Sequence, residues 1–149
     1  MATTTPPLQL LIASGAFGPR LSAPAVAAAI ARGVQAGGLP EPDLCPLSPA
    51  DEAAGDVRAL LDGIGFDARM RRARAVVIAA ARLEERTLAG SLAFEIATRA
   101  RQSGVPAYAV TTENQLDAFD ARILDLQVIL EARGARSLET AGRRLAGIV

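Results

Sequence analysis

Residues 75–111 read AVVIAAARLEERTLAGSLAFEIATRARQSGVPAYAVT, and this stretch decides the fold. It opens with a continuous apolar run at 75–80, which is typical of a strand buried on both faces of a parallel sheet. A helical stretch follows at 88–103, with apolar residues recurring on one face, and Gly104 ends it. A second strand-like run occupies 106–111. A strand, a helix and a strand in this order predict a parallel βαβ unit.

The same alternation continues on both sides of this unit. It predicts an α/β fold: an open, mainly parallel sheet of about five strands with helices on both faces, in a Rossmann-like, doubly wound arrangement of three layers. Nothing in the sequence divides the chain, so we expect a single domain over 1–149, with 1–7 as a flexible tail. The further strands are predicted at 8–13, 43–47 and 126–130, the further helices at 23–37, 50–64, 114–123 and 138–148, and the helix N-caps at Ser22, Thr87 and Ser137.

The ionisable side chains restrict the possible chemistry. Sixteen acidic residues balance sixteen basic ones, all of the basic residues are arginine, and the chain has no lysine and no histidine. A histidine general base, a zinc site rich in histidine or cysteine and a Schiff-base lysine are therefore excluded. The neutral balance argues against a nucleic-acid or anionic-membrane partner. Any chemistry has to come from carboxylates, hydroxyls, arginine and the backbone.

Cysteine content and the N-terminus bear on location. Cys45 is the single cysteine, so an intramolecular disulfide is excluded, and we expect it to be a small buried apolar residue. Residues 1–7 lack the basic segment of a signal peptide, and the apolar run at 8–13 is too short to span a bilayer. We therefore expect a cytoplasmic protein without a membrane partner.

Ligands of open parallel sheets bind beyond the carboxyl ends of the strands. Beyond the strand at 75–80, Arg82 and the start of the next helix could hold a carboxylate or phosphate, although Glu84 and Glu85 would repel a bare phosphate. The alternative is a solvated cap in which glutamates pair with arginines. Four further segments occupy such ends: 14–22, 48–52, 111–115 and 131–137. We interpret 14–22 as a plain strand-to-helix turn, the alternative being a turn whose two glycines let the backbone approach a phosphate. In 111–115, Thr111, Thr112 and Asn114 are candidates for contacting a ligand, the alternative being that Thr112 or Asn114 simply caps the next helix.

A cluster of arginines occupies residues 68–74, which read ARMRRAR. Without aromatic residues or a net positive charge, this cluster does not indicate nucleic-acid binding. We expect it to be a solvated face whose charge is balanced by Asp62 and Asp67.

Residues 73–91, ARAVVIAAARLEERTLAGS, resemble a motif of the bacterial-type glycerate kinases, A-D-L-V-I-T-G-E-G-R-L-D-x-Q-T-L-x-G-K. Residues 15–23, GAFGPRLSA, are similar to the family's D-S-F-K-G-S-L-S-A. The resemblance implies an α/β kinase that phosphorylates glycerate with ATP and Mg²⁺. Members of that family are more than twice as long, so a large middle portion has no counterpart here. The matching positions of the first motif are Arg82, Leu83, Thr87, Leu88 and Gly90.

The departures from this family concentrate where its chemistry resides. Its G-E-G falls on 79–81, which is three alanines, and its D-S-F-K places Asp and Lys on Gly15 and Gly18. The Lys that ends the first motif falls on Ser91, and its Asp on Glu84. Phosphoryl transfer depends on cations and carboxylates that neutralise the developing charge, so these changes predict a scaffold without its catalysis.

Three hypotheses follow from the resemblance and its departures. The leading one is a domain without kinase activity that acts as a small-molecule-binding or interaction module, with no metal site. The second is a reduced but active enzyme that uses ATP and Mg²⁺, with Arg82 and Glu84 as catalytic residues. The third is a structural protein that forms a homodimer to cover apolar surface exposed by the missing portion. The ligand-binding candidates are Glu52, Arg82, Thr87, Thr111, Thr112 and Asn114.

Overall fold

A computed structural model describes residues 9–47, 56–83 and 91–149. Five strands and six helices occupy these ranges, and they alternate along the chain as the apolar runs predict, except that two helices follow each other between the second and third strands. In chain order they are β1 (Leu10–Ser14), α1 (Ala23–Ala36), β2 (Asp43–Pro46), α2 (Val57–Gly63), α3 (Phe66–Arg71), β3 (Ala75–Leu83), α4 (Leu92–Ser103), β4 (Ala107–Asn114), α5 (Ala118–Ile123), β5 (Leu126–Glu131) and α6 (Ala135–Ile148).

The five strands form one open sheet in the order β2-β1-β3-β4-β5, and every neighbouring pair is parallel. The predicted α/β fold is therefore confirmed. From β1 the chain first moves outward to β2 and then returns across the sheet to β3. The connections that leave β1 and β3 consequently run in opposite directions, which makes the β1/β3 boundary a topological switch point.

Successive residues of a strand point to opposite faces of the sheet. Apolar side chains therefore lie on both faces, and helices cover each of them. On β3, Val77 and Ala79 face the core formed with α1 and α6. Val76 and Ile78 face the core formed with α2, α3 and α4. A central parallel strand must be apolar on both faces, which is why its sequence is continuously rather than alternately hydrophobic.

Helices α1 and α6 pack closely enough to need glycine at the crossing. A Cβ built on Gly33 would lie 1.8 Å from the carbonyl oxygen of Glu139, and one built on Gly142 would lie 2.1 Å from that of Ile30. Both close approaches are to the backbone of the facing helix, which cannot move aside as a side chain can. The alanine-rich core thus packs its helices at backbone contact distance.

The arginine cluster at 68–74 is not simply a solvated face, so that expectation is wrong for Arg69. Its guanidinium donates to both carboxylate oxygens of Asp43, at 2.9 and 2.7 Å, and to the carbonyl of Leu44 at 2.9 Å. The hydrogen bond to Asp43 raises the pKa of Arg69. Arg69 therefore links α3 to the edge strand β2 through a bidentate ion pair with Asp43.

The expected partners of the cluster, Asp62 and Asp67, bind a different arginine. Arg99 on α4 donates to Asp62 at 2.9 Å, to Asp67 at 3.1 Å and to Glu95 at 3.2 Å. Burial by itself lowers the pKa of Arg99, but the hydrogen bonds to these carboxylates outweigh it and the pKa is raised. One guanidinium thereby joins α2, α3 and α4.

Helix starts are predicted correctly at α1 and wrongly at α4 and α6. Ser22 caps α1 as expected and accepts the N–H of Ala25 at 3.3 Å. Helix α4 begins at Leu92, four residues after the start at 88 that its apolar pattern predicts. Its N-cap is therefore Ser91 and not Thr87. Helix α6 begins at Ala135, before the predicted cap, so Ser137 lies inside its first turn and accepts the N–H groups of Arg133 and Gly134.

The remaining differences concern segment lengths. Of the helix predicted at 50–64, the described part is α2, Val57–Gly63. The short helix α3 that follows it was not predicted from the sequence. The helix predicted at 114–123 begins at Ala118, and its cap is Asp117 rather than Thr112 or Asn114. The tail predicted at 1–7 lies outside the described residues.

Two smaller expectations concern burial and membranes. Cys45 is buried as predicted, and burial raises the pKa of its thiol. Within 9–47, 56–83 and 91–149, no helix has the length and apolar character that crossing a membrane requires.

Candidate functional site

A cavity of about 320 Å³ opens at the carboxyl edge of the sheet, where β1 and β3 end. We call it the switch-point cavity, since it lies at the boundary where the strand order reverses. Its described walls come from the end of β1 and the turn after it, from Leu47 after β2, from β3, and from the start of α4. They comprise Ala13–Ala16, Leu47, Ile78–Arg82, Ser91–Ala93 and Ile96.

The turn after β1 shapes one wall. The N–H of Gly15 donates to the carbonyl of Ala79 at 2.9 Å, which holds the turn against β3. The hydroxyl of Ser14 is buried and donates to the carbonyl of Ala23 at 2.9 Å. The segment 14–22 is thus a strand-to-helix turn as predicted, and its first residues also border the cavity.

Strand β3 shapes the opposite wall and is longer than its apolar run. It continues to Leu83, so Arg82 is a strand residue rather than part of a loop. Ile78, Ala80 and Arg82 alternate along the strand and share one face, the face covered by α4. Ala80 is therefore the alanine of 79–81 whose methyl group shares the α4 face with Arg82, whereas Ala79 and Ala81 pack on the opposite face of the sheet and border the cavity from there.

Helix α4 closes the cavity with its N-terminus. The hydroxyl of Ser91 accepts the N–H of Phe94 at 3.1 Å, which makes Ser91 the N-cap. The first N–H groups of a helix lack intrahelical acceptors, and the helix dipole adds positive potential there. Leu92 and Ala93, which carry two of these groups, line the cavity.

Arg82 is the charged residue among the described residues of the wall. Its side chain is 67% exposed, and its Nε lies 3.9 Å from a carboxylate oxygen of Glu113 on β4. That distance is long for an ion pair, and exposed pairs of this kind contribute little to stability. The guanidinium therefore lies at the rim of the cavity, beside Glu113.

The threonine and asparagine candidates lie away from the switch-point cavity. Thr111 and Thr112 on β4 both donate their hydroxyls to the carbonyl of Ala81, Thr111 at 3.1 Å. The Asn114 side chain accepts the N–H of Leu116 at 3.1 Å and so closes a local turn. Thr112 borders a separate, more open cleft with Glu131, Ala132, Arg133 and Ser137. A role for these three side chains in binding stays a prediction, but their polar groups already have structural partners.

Glu52, Glu84 and Thr87 lie outside the described residues. In sequence they belong to segments that adjoin the cavity wall, since Leu47 precedes the first segment and Ser91 follows the second. In the described part of the chain, no three acidic or cysteine side chains gather in a group that could hold a metal ion.

Arg82, named from the sequence, lies at this cavity, but most of the other wall residues were not named. Leu47, Ile78 and Ile96 are ordinary core residues by pattern, and their exposure to a cavity depends on how the elements are placed. Ser91 had a detectable signal, because a serine directly before an apolar helical turn is a favoured N-cap. Together these parts place one arginine side chain and a helix N-terminus beside an otherwise small or apolar described wall.

Comparisons with known proteins match this chain to one protein family and to one solved structure of similar fold. The model of the glycerate kinase family matches residues 50–146. No curated protein matches the chain. Among solved structures the chain is similar to a protein from Burkholderia pseudomallei described as pilus assembly-related, with 21% identity and a TM-score of 0.50. The similarity covers 99% of this chain and 96% of that one, and at this identity it bears on the fold alone.

Proposed function

The chain belongs to the glycerate kinase family, and we propose that it is a member without kinase activity that binds a small carboxylate or phosphate in the switch-point cavity. The observation that carries this proposal is the wall of the cavity itself. It opens at the edge where open parallel sheets bind ligands. Its described residues are small or apolar apart from two serines and Arg82.

The absence of lysine from the whole chain supports the loss of kinase chemistry. Ser91 occupies a position where the resemblance implies a lysine, and its hydroxyl caps α4. The alanines at 79–81 occupy the positions of a G-E-G segment and form a wall. Phosphoryl transfer is catalysed mainly by placed charges, and removing such a group costs several kcal/mol of transition-state stabilisation.

We expect purified protein to show no glycerate-dependent ATP consumption. With ATP, Mg²⁺ and glycerate at millimolar concentration, the turnover measured by a coupled ADP assay should stay below about 0.01 s⁻¹, against about 1–100 s⁻¹ for ordinary kinases. Turnover in the ordinary range would contradict the proposal.

Any turnover that is found identifies the alternative, a reduced but active enzyme. In that case Arg82→Ala and Glu84→Gln should each abolish it, because these are the catalytic candidates. Arg133→Ala, which removes an exposed arginine from the separate cleft beside α6, serves as the matched control and should leave it unchanged. Turnover that persists unchanged in both site variants would contradict the reduced-enzyme alternative with these two catalytic residues.

A second candidate function, homodimerisation, is supported by the exposed apolar surface of helix α5. Helix α5 has no buried residue, and it exposes Phe119 and Ile123, whose surfaces are 68% and 46% accessible. Residues four apart share a helix face, so the two side chains form one apolar strip. Asp120 and Arg122 give α5 one charge of each sign, and a two-fold axis would set unlike charges of two copies opposite each other. Burying this strip against a second copy would remove it from water.

Light scattering at micromolar concentration tests the dimer. We expect twice the 15.4 kDa chain mass for the unmodified protein and the single chain mass for Phe119→Asp. Ile148→Asp, at an exposed isoleucine on α6 in the opposite layer, is the matched control and should remain dimeric. A monomeric unmodified protein would contradict the dimer.

A further inference from the structure

We propose that the outer face of helices α1 and α6 binds the phosphate backbone of a double-stranded nucleic acid without reading its sequence. We call this surface the basic face, and its charged residues are Arg32, Arg136, Glu139, Arg143 and Arg144. The inference goes beyond the proposed function, because the basic face belongs to the helix layer on the other side of the sheet from α4 and does not involve the switch-point cavity.

The zero net charge of the chain is the sum of unevenly distributed charges. Helices α1 and α6 carry four arginines and one glutamate, a net charge of +3. Residues 113–131, which include α5 and β5, carry five acidic residues and one arginine. The acidic residues outside the described ranges belong to 48–55 and 84–90, which lead in sequence into α2 and α4 of the opposite layer. The prediction against a nucleic-acid partner rested on the net charge, whereas a polyanion meets the field of one face.

The arginines of the basic face are exposed to solvent. Arg32 lies 3.7 Å from a carboxylate oxygen of Glu139, and the two side chains are 55% and 40% exposed, so this pair is solvated and weak. Within the described part of the chain, no ion pair joins Arg136, Arg143 or Arg144 to an acidic residue. An incoming phosphate therefore has no buried ion pair to break at these three side chains.

The helical repeat arranges these arginines in a row. Arg136 and Arg143 are seven residues apart, so they lie on one line of α6 with about 10.5 Å between them along the axis. Arg144 lies beside Arg143, and Leu138 and Leu145 hold the opposite side of the helix in the core. A duplex carries one phosphate charge per about 1.7 Å of its axis, so arginines at this spacing meet phosphates without a matched register.

The residue types favour phosphate contacts over base contacts. A guanidinium binds a phosphate group through two parallel hydrogen bonds. Helices α1 and α6 contain no aromatic residue, so the basic face has no side chain on which unpaired bases can stack. A duplex, which offers a higher charge density than a single strand, is therefore the favoured partner.

An anionic membrane surface is the main alternative partner. Helices that lie in a membrane interface insert a row of apolar side chains. Of the exposed large apolar side chains in the described ranges, Ile148 alone belongs to α1 or α6. The apolar side of α6 is already buried against α1 and the sheet. A membrane would therefore be held by charge alone.

The experiment titrates a fluorescently labelled DNA duplex of about 20 base pairs with the full chain and follows anisotropy at several salt concentrations. We expect a Kd of about 0.1 mM at about 50 mM NaCl, in the weak range of sequence-independent binding. If Arg136, Arg143 and Arg144 each neutralise one phosphate, the logarithm of the association constant should fall with that of the salt concentration with a slope of about −2.7. The affinity should then fall about 40-fold between about 50 and 200 mM NaCl.

A pair of double variants locates the binding. Arg143→Gln/Arg144→Gln removes two of the three contacts, so the slope should flatten to about −0.9 and the Kd at low salt should rise at least about tenfold. Arg71→Gln/Arg72→Gln is the matched control, since it removes the same charge from an adjacent, exposed arginine pair at the end of α3 in the opposite layer. The control should keep a slope near −2.7. Glutamine preserves helix propensity, and circular dichroism should show the same Tm within about 2 °C for both variants.

The results distinguish the partners. Equal slopes for the two double variants, or no binding of the duplex at about 1 mM protein, would overturn the proposal. A single strand of the same length that binds as tightly as the duplex would overturn the choice of a duplex. Protein that sediments with phosphatidylserine vesicles but leaves the duplex unbound would assign the face to a membrane surface instead. None of these results bears on the switch-point cavity, so the proposed function stands or falls by its own assay.

Discussion

Gly142→Ala is expected to destabilise the protein by about 3 kcal/mol, which corresponds to a fall in Tm of roughly 6–12 °C. The added methyl group would lie 2.1 Å from the carbonyl oxygen of Ile30 and 3.0 Å from the backbone nitrogen of Val34 on α1. Since both are backbone atoms of the facing helix, relief requires α1 and α6 to separate. That separation would loosen the core that both helices form against the sheet. Chemical denaturation followed by circular dichroism measures the change.

Gly147→Ala is the matched control on the same helix. Nothing lies within 4 Å of a Cβ built there. The substitution should therefore stabilise the protein by about 0.5 kcal/mol, through the greater helix propensity of alanine. Gly33→Ala, which meets the carbonyl of Glu139 from the other side of the same crossing, should behave like Gly142→Ala. Equal and small effects at Gly142 and Gly147 would show that the two helices are not packed at backbone contact distance.

Arg99→Ala is expected to destabilise the protein by about 2 kcal/mol. The side chain of Arg99 is 10% exposed and binds Asp62, Asp67 and Glu95 at once. Its removal leaves Glu95 largely buried beside the vacated site without its strongest partner, whereas the more exposed Asp62 and Asp67 regain water. A fall in the denaturation midpoint without loss of cooperativity would report this change.

Arg58→Ala provides the control for Arg99. Arg58 also pairs with Glu95, at 3.6 Å, but its side chain is 81% exposed. Its truncation should change the free energy of unfolding by less than about 0.5 kcal/mol, because a solvated ion pair contributes little. If the two arginines proved equivalent, the burial of Arg99 would not be the source of its effect.

The sheet could be predicted from the sequence because its signal is local and redundant. Apolar runs such as 75–80 have few alternatives to a buried strand when helical stretches flank them. The ends of elements were less predictable, as at β3, which extends through Arg82 to Leu83. An arginine is unfavourable in the buried part of a strand. Arg82 lies instead at the carboxyl end of the central strand β3, where its side chain reaches solvent. Position in the sheet overrides residue type at this point.

The candidate site was predictable in location and only partly in content. The carboxyl edge follows from the topology of any open parallel sheet, and Arg82 was a candidate because it lies just beyond the apolar run 75–80. Thr111 and Thr112 also follow a strand, yet their hydroxyls bind the carbonyl of Ala81. A sequence shows that a hydroxyl is near an edge, but it does not show which backbone groups of a neighbouring strand compete for it.

The sequence by itself determined the fold class, the family resemblance and the absence of lysine and histidine, because these depend on residue identities and on short-range periodicity. Only the tertiary structure decided which arginine bridges three helices, why Gly33 and Gly142 must be glycine, and that the alanines at 79–81 form the wall of a cavity. Each of these depends on distances between segments far apart in the chain. Local patterns leave such distances undetermined, because only the packing of the elements sets them.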